Sequence, residues 1–385
     1  MNLVNLSTAM HRLAKLSVAA PRPQRGQRAP RSPAASGRHL RALEGLVAAA
    51  SAALFKSETS RAQPQCQALS NIVWSMATMQ CTDEQLLETA ARMSLRHLSS
   101  FKPFELSAAL WAFAKLGAVG QASTVCGAPE FFQAAAEHVS ANVEHFSFRC
   151  LVMIVWAFAA AGIRQEAVLQ KVGKCMLHAI PTAQSQELAN ICWAFGVMGC
   201  RDNRLFGDIA RRAVHVINDL KAQELTNIMW ATATLDFYHE DFFLASAKAV
   251  TTTLLSASQL AAVVWSIGRC RPQHPAARST MLALIPRCAD AVDQLRPQEL
   301  ANVTLATAKC FASDGGIEAR GQAFPTPIAK FFRTMAPWVV SYARYFCDSS
   351  LAALATAYVA ASATGASHDD VLGALACEAT ARAPR

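Results

Sequence analysis

The chain has 385 residues, a formal net charge of +9, 52% hydrophobic residues and only 16% charged ones. Its longest apolar run, Leu151 to Ile163, is shorter than the roughly 18 residues that a membrane-spanning helix requires, so a soluble chain with no membrane partner is expected. The twelve cysteines form no Cys-x-x-Cys pair and do not cluster with histidines at zinc spacing, which predicts reduced, largely buried thiols and no metal site.

Residues 1–43 carry eight Lys/Arg (Arg12, Lys15, Arg22, Arg25, Arg28, Arg31, Arg38 and Arg41) and no carboxylate. Two readings stand side by side. The Arg-rich, acid-free composition is that of an organellar transit peptide. Alternatively, Leu6–Ser17 is a divergent repeat helix with His11 at the place of a tryptophan, followed by a Pro/Arg/Gly/Ser linker over 20–38 of disordered composition. Of the chain's 36 basic residues these eight leave 28, beside 27 acidic ones, so the remainder is near neutral. Nucleic-acid binding must then depend on where cations lie and not on their sum. A helical connector is expected over 44–63.

From residue 64 to 382 one motif returns. LSNIVWSMATM (from Leu69), LSAALWAFAKLG (Leu106), LVMIVWAFAAAG (Leu151), LANICWAFGVMG (Leu188), LTNIMWATATLD (Leu225) and LAAVVWSIGRC (Leu260) align on a leucine and the tryptophan five residues later. Two degenerate copies follow at Leu300 and Leu351, with Leu305 and Thr356 in place of Trp. Trp74, Trp111, Trp156, Trp193, Trp230 and Trp265 are spaced 37, 45, 37, 37 and 35 apart, which marks a repeat architecture.

Each motif predicts an amphipathic helix, here called helix A. In the copy at Leu188, apolar residues fall at Leu188, Ile191, Cys192, Phe195 and Met198, the i, i+3, i+4, i+7 stripe. Glu105, Glu187, Glu224 and Glu299 mark the first turn, Pro103 and Pro297 the first position, and Gly117, Gly162 and Gly199 the stop. A second amphipathic run follows, for example Arg204 to Ile217, and makes helix B. Such pairs cannot bury their faces alone, so an all-α fold is expected: an α-solenoid of about eight stacked helix-turn-helix repeats. The turn-rich insertions at 120–129 and 313–327 should loop out.

Trp lies on the same side of helix A as Asn71, Asn190 and Asn227, with Asn302 in a degenerate copy. Exposed aromatics and amides can stack and read single-stranded bases. The recurrence of these ten residues where a core must be built favours a structural signature, with Trp as the knob between units and Asn capping or bridging backbone at the junction. Helix B supplies the candidate RNA contacts. Five residues after its apolar reference position the chain places Arg92, Lys174, Arg211 and Lys248, with Glu137 interrupting the series. At 100° per residue they face solvent, where they would form either a track for phosphates or an ordinary solvated helix face. The cluster Asp236, His239, Glu240 and Asp241 reads as a polar turn opening a helix B rather than a metal site. No nucleophile, base and orienting group form a catalytic set, so neither catalysis nor a cofactor is expected.

The Leu-x-Asn-x-x-Trp-Ala core resembles the heptatricopeptide and octotricopeptide repeats found in FAST-kinase-like and RAP-domain proteins. It is also similar to the repeat region of the sixth subunit of the kinetoplastid RNA-editing substrate-binding complex. The resemblance covers about residues 64–382. It implies a non-enzymatic protein that binds single-stranded RNA in the mitochondrial matrix, or alternatively in a plastid, and supports processing, stability, editing or rRNA maturation beside other RNA-processing proteins. A different class of function, a protein-binding scaffold of a ribonucleoprotein complex that uses a concave face for partner helices, is the competing expectation.

Overall fold

The computed structural model describes residues 2–19, 33–59, 65–117, 127–311, 324–362 and 367–382. Among them there is no strand, and eighteen α-helices alternate between A and B type. The A helices are α1 (Leu3–Ala19), α3 (Cys66–Met79), α5 (Pro103–Gly117), α7 (Phe148–Ala160), α9 (Ser185–Met198), α11 (Ala222–Thr234), α13 (Ala257–Cys270), α15 (Pro297–Phe311) and α17 (Asp348–Ser362). The B helices are α2 (Pro33–Thr59), α4 (Glu84–Arg96), α6 (Ala128–Ala141), α8 (Glu166–Met176), α10 (Asn203–His215), α12 (Glu240–Thr252), α14 (Pro275–Asp290), α16 (Thr326–Tyr342) and α18 (Asp369–Arg382). None of these helices is long and apolar enough to cross a membrane.

The chain divides into two compact units, residues 1–179 and 180–385. In the first, the A helices α1, α3, α5 and α7 pack in sequence against one another, and α2, α4, α6 and α8 form a parallel B row. In the second, α9, α11, α13, α15 and α17 make the A row and α10, α12, α14, α16 and α18 the B row. Each unit is the two-layer stack of an α-solenoid, in which an element contacts mainly its neighbours.

The expected start and stop signals work as their chemistry requires. Pro103 and Pro297 open α5 and α15, where a missing N–H costs nothing. Gly199 adopts φ 66° after α9, and the Gly199 and Cys200 amides return to the carbonyls of Gly196 and Phe195. The segment expected as a connector starts inside α2, which packs on α4 as one B helix packs on the next. At the amino end α1 lies on α3, with the His11 ring 4.9 Å from that of Trp74 at 80°. Of the linker expected over 20–38, residues 20–32 lie outside the described residues and 33–38 are helical, opening α2; residues 120–126 and 313–323 of the two insertions also lie outside, while their last residues open α6 and α16.

Helix A is buried more widely than a single amphipathic stripe implies. Counting from the tryptophan as position 0, Ala189, Cys192 and Gly196 of α9 (−4, −1 and +3) are buried along with the Leu188/Ile191/Phe195 stripe. So are their counterparts Thr226, Met229 and Ala233, Ala261, Val264 and Gly268, and Ala301, Thr304 and Ala308 on the next three A helices. This second stripe receives the following A helix. A Cβ on Gly196 would meet Trp230 at 2.8 Å, and one on Gly268 would meet the Ala306 Cβ at 2.5 Å and its Cα at 2.8 Å. Position +1, where Ala231 and Ala306 sit, is Ala or Ser on every A helix from α3 to α17 and always buried.

Gly268→Ala is expected to lower stability by about 1–2 kcal/mol, because overpacking against backbone costs about 1–3 kcal/mol and exceeds the ~1 kcal/mol gained in helix propensity. Gly45→Ala in α2, where an added Cβ meets nothing within 4 Å, should instead raise stability by up to ~1 kcal/mol. Denaturant unfolding of the two variants beside the parent checks both signs.

Candidate nucleic-acid interface

The four helix B cations face solvent as the periodicity predicts, but two are already engaged. Arg92 donates to Glu58 in a paired contact at 3.2 Å and lies 3.9 Å from Glu88. Arg211 is ion-paired with Asp208 one turn earlier on α10. Lys174 and Lys248 are exposed on α8 and α12. Between α4 and α8 stands α6, which presents the exposed Glu137, so Arg92 and Lys174 are not consecutive. Arg211 and Lys248 do sit on adjacent helices. The result is a mixed-charge face, on which paired guanidinium groups offer less to a phosphate than free ones.

Helix A presents a different surface. Buried on three sides, it leaves one line half exposed, at positions −7, −3, 0 and +4. In the second unit this line reads Gln186, Asn190, Trp193 and Val197 on α9, then Gln223, Asn227, Trp230 and Thr234 on α11. On α15 it reads Gln298, Asn302, Leu305 and Lys309. On α13, Ala262, Trp265 and Arg269 continue it, with Gln259 one residue inward at −6. In the first unit it holds Gln67, Asn71, Trp74 and Thr78, then Phe104, Ala108, Trp111 and Lys115, then Arg149, Met153, Trp156 and Ala160. All six tryptophans are half-buried, and Trp111 and Trp156 stand ring to ring at 6.3 Å. Trp74 meets His11 of α1 and Trp230 lies against Gly196 of α9, and each of the six keeps part of its ring accessible.

The asparagines depart from expectation. Asn227 and Asn302 neither cap a helix nor bridge backbone. The Asn227 side-chain oxygen accepts from the Gln223 amide at 2.7 Å, and that of Asn302 from Gln298 at 3.1 Å. Gln259 donates across to Gln223 at 3.1 Å, and the Ser350 hydroxyl donates to Gln298 at 2.7 Å, so amide contacts run between neighbouring A helices. Sequence reasoning overlooked these glutamines, although Gln-Glu-Leu recurs in the first turn of α9, α11 and α15.

No carboxylate occupies any position of this line, and the reason is local. The first-turn glutamates beside it fold back onto their own helix ends. Glu105, Glu187, Glu224 and Glu299 accept the backbone N–H of Lys102, Gln184, Lys221 and Arg296 at 2.9–3.0 Å. Three of the four are buried. Burial pushes Glu299 up, but hydrogen bonds from the Arg296 side chain and backbone, with the guanidinium charge, outweigh it and hold the carboxyl below its ordinary value. Two of the cations on the line lie over the rings: Lys115 is 4.7 Å from the centroid of Trp111 and Arg269 is 5.6 Å from that of Trp265. Burial lowers the pKa of the Lys115 ammonium.

The polar turn before α12 is occupied by structure. His239 caps α12 by accepting from the Phe242 amide, Tyr238 bonds Glu240, and His274 approaches Glu240 at 3.5 Å. Asp236 takes a left-handed φ of 51° in the turn. Among the described residues no three His, Cys, Asp or Glu side chains converge as metal ligands. No disulfide joins the eleven described cysteines, and burial drives Cys288 and Cys310 up to about 12.

Replacing Glu299 with Ala is expected to cost about 1 kcal/mol near neutral pH, the scale of a helix-end cap. Because the folded carboxyl is held low, that contribution is complete above its unfolded value of about 4.3 and disappears as pH falls through the lower folded one. Unfolding of parent and variant in urea between pH 7 and pH 3 should therefore converge at the acid end.

No curated protein matches the chain. A family profile described as RNA-editing substrate-binding complex 8 protein matches residues 63–312. That span takes in α3 to α15 and all six tryptophan repeats, most of the chain's length. The chain belongs to the RNA-editing substrate-binding complex 8 protein family, as a helical-repeat member.

Proposed function

We propose that this protein is a non-enzymatic RNA-contacting subunit of an RNA-editing substrate-binding assembly in the mitochondrial matrix. In this reading single-stranded RNA lies along the half-exposed line of the A helices. The observation that carries it is that the first-turn glutamates Glu105, Glu187, Glu224 and Glu299 turn back onto their helix ends, which leaves a carboxylate-free line of tryptophan edges, carboxamides, cations and small or apolar side chains. Tryptophan faces stack bases with ~1–3 kcal/mol each, largely regardless of sequence. Carboxamides offer both donors and acceptors to base edges. Lys115, Arg149, Arg269 and Lys309 supply phosphate contacts at the margins of the line. Family membership supports both the assembly and the mitochondrial setting.

Binding of a fluorescent single-stranded oligonucleotide by the full chain tests the surface. The isosteric triple variant Asn190→Asp, Asn227→Asp and Asn302→Asp keeps the helix packing and places three carboxylates on the line. It is expected to weaken binding at least tenfold, since each unfavourable charge contact near a surface is worth about 1 kcal/mol. Gln at Arg92, Lys174, Arg211 and Lys248 together should weaken it less than threefold, because two of those cations are already paired. The reverse ranking would move the RNA to the B row. Absence of binding by the parent, together with no RNA recovered by ultraviolet crosslinking in cells, would leave the protein a scaffold.

A further inference from the structure

One first-turn residue departs from its counterparts by a single atom. Six residues before the tryptophan position, α5, α9, α11 and α15 carry Glu105, Glu187, Glu224 and Glu299, whereas α13 carries the carboxamide Gln259. The Gln259 Oε1 does what those carboxylates do and accepts the Ser256 backbone N–H, at 2.9 Å. The other end of the group is an N–H donor where a glutamate would offer a second acceptor.

That atom gives a chain of side chains its direction. A backbone N–H can only donate, so it fixes which end of the Gln259 carboxamide is oxygen, and with it every amide further along. Gln259 Nε2 donates to Gln223 Oε1 at 3.1 Å, and Gln223 Nε2 donates to Asn227 Oδ1 at 2.7 Å. Asn227, the last group, has its oxygen engaged, and among the described residues nothing accepts from its Nδ2. Donation into a carboxamide oxygen polarises the group and strengthens its own N–H donors. Trp230 follows three residues later on the same half-exposed line. A relay of the same sense runs from the Ser350 hydroxyl through Gln298 to Asn302, at 2.7 and 3.1 Å, but ends beside Leu305 and not beside a ring.

A free asparagine reads adenine with both ends at once, accepting from the amino group and donating to a ring nitrogen. Asn227 would have to share its oxygen with Gln223 to do so, while its NH2 group is unencumbered for a carbonyl oxygen. Uracil and guanine carry such an oxygen on their exposed edges, and adenine carries none.

We infer that the contact formed by Asn227 and Trp230 selects bases by their carbonyl oxygen, favouring uracil or guanine over adenine in single-stranded RNA, and that Gln259 is the positioning residue that sets this preference through the relay. The inference rests on the RNA reading given above and adds a base preference to it.

Gln259→Glu tests the direction of the relay. Glutamate keeps the bond to Ser256, as Glu187 and Glu224 keep theirs to Gln184 and Lys221, but it accepts where glutamine donates. Gln223 and Asn227 must then both turn over, and Asn227 presents its oxygen. Binding of fluorescent oligo(U) and oligo(A) of about twelve nucleotides is measured with the full chain, with thermal unfolding as the check on folding. The parent is expected to bind oligo(U) about threefold or more tighter than oligo(A), the scale of one net hydrogen bond. In Gln259→Glu the added charge weakens both, but the ratio should fall below one. Gln259→Ala cuts the relay without adding charge and should bring the ratio close to one. Equal affinity of the parent for the two oligonucleotides, or a parent ratio that survives in both variants, would overturn the inference and leave the RNA reading intact. Binding of neither oligonucleotide by the parent would remove the RNA reading and this inference together.

Discussion

The close approach of neighbouring A helices is the constraint on which the rest of the structure depends. Where Gly268 faces Ala306, and Gly196 faces Trp230 and Ala231, there is no room for one more carbon. Such contact is possible only if position +3 of one helix and +1 of the next are small, and those small residues are found along the A rows. Trp at position 0 then fills the groove that two small residues leave beside the contact. Because it fills the groove from its edge, it is never wholly covered. The half-exposed ring is a by-product of packing that becomes available for recognition.

Charge is arranged by the same geometry. A glutamate in the first turn of a helix is drawn to the unpaired amides and the positive end of the helix dipole. In this chain that ordinary preference also clears a surface, because the carboxylates that would border the tryptophan line are turned into the helix ends. The B row has no such device. There Glu58 and Glu88 approach Arg92, and Asp208 holds Arg211, within solvent-facing pairs that neutralise each other. Two rows built from one repeat thus acquire different electrostatic character.

The sides of an A helix are put to different uses: the neighbouring A helices and the B helices cover most of it, and one line stays half exposed.

The sequence alone determined the repeat, its length, the A and B alternation and most helix ends, because periodicity, proline, glycine and first-turn glutamate act over a few residues. It also identified the tryptophans as junction knobs and placed the four B cations on a solvent face, since both follow from 100° per residue. It did not determine which cations are available, because Glu58 reaches Arg92 across 34 positions of chain and no local pattern records that pairing. Nor did it mark the glutamines, whose role appears only when Gln259 and Gln223, 36 positions apart, meet between α13 and α11. The tertiary structure alone decided that α2 is a repeat helix, packed on α4. Burial is a property of the neighbour as much as of the residue, and one helix's sequence cannot say what stands beside it.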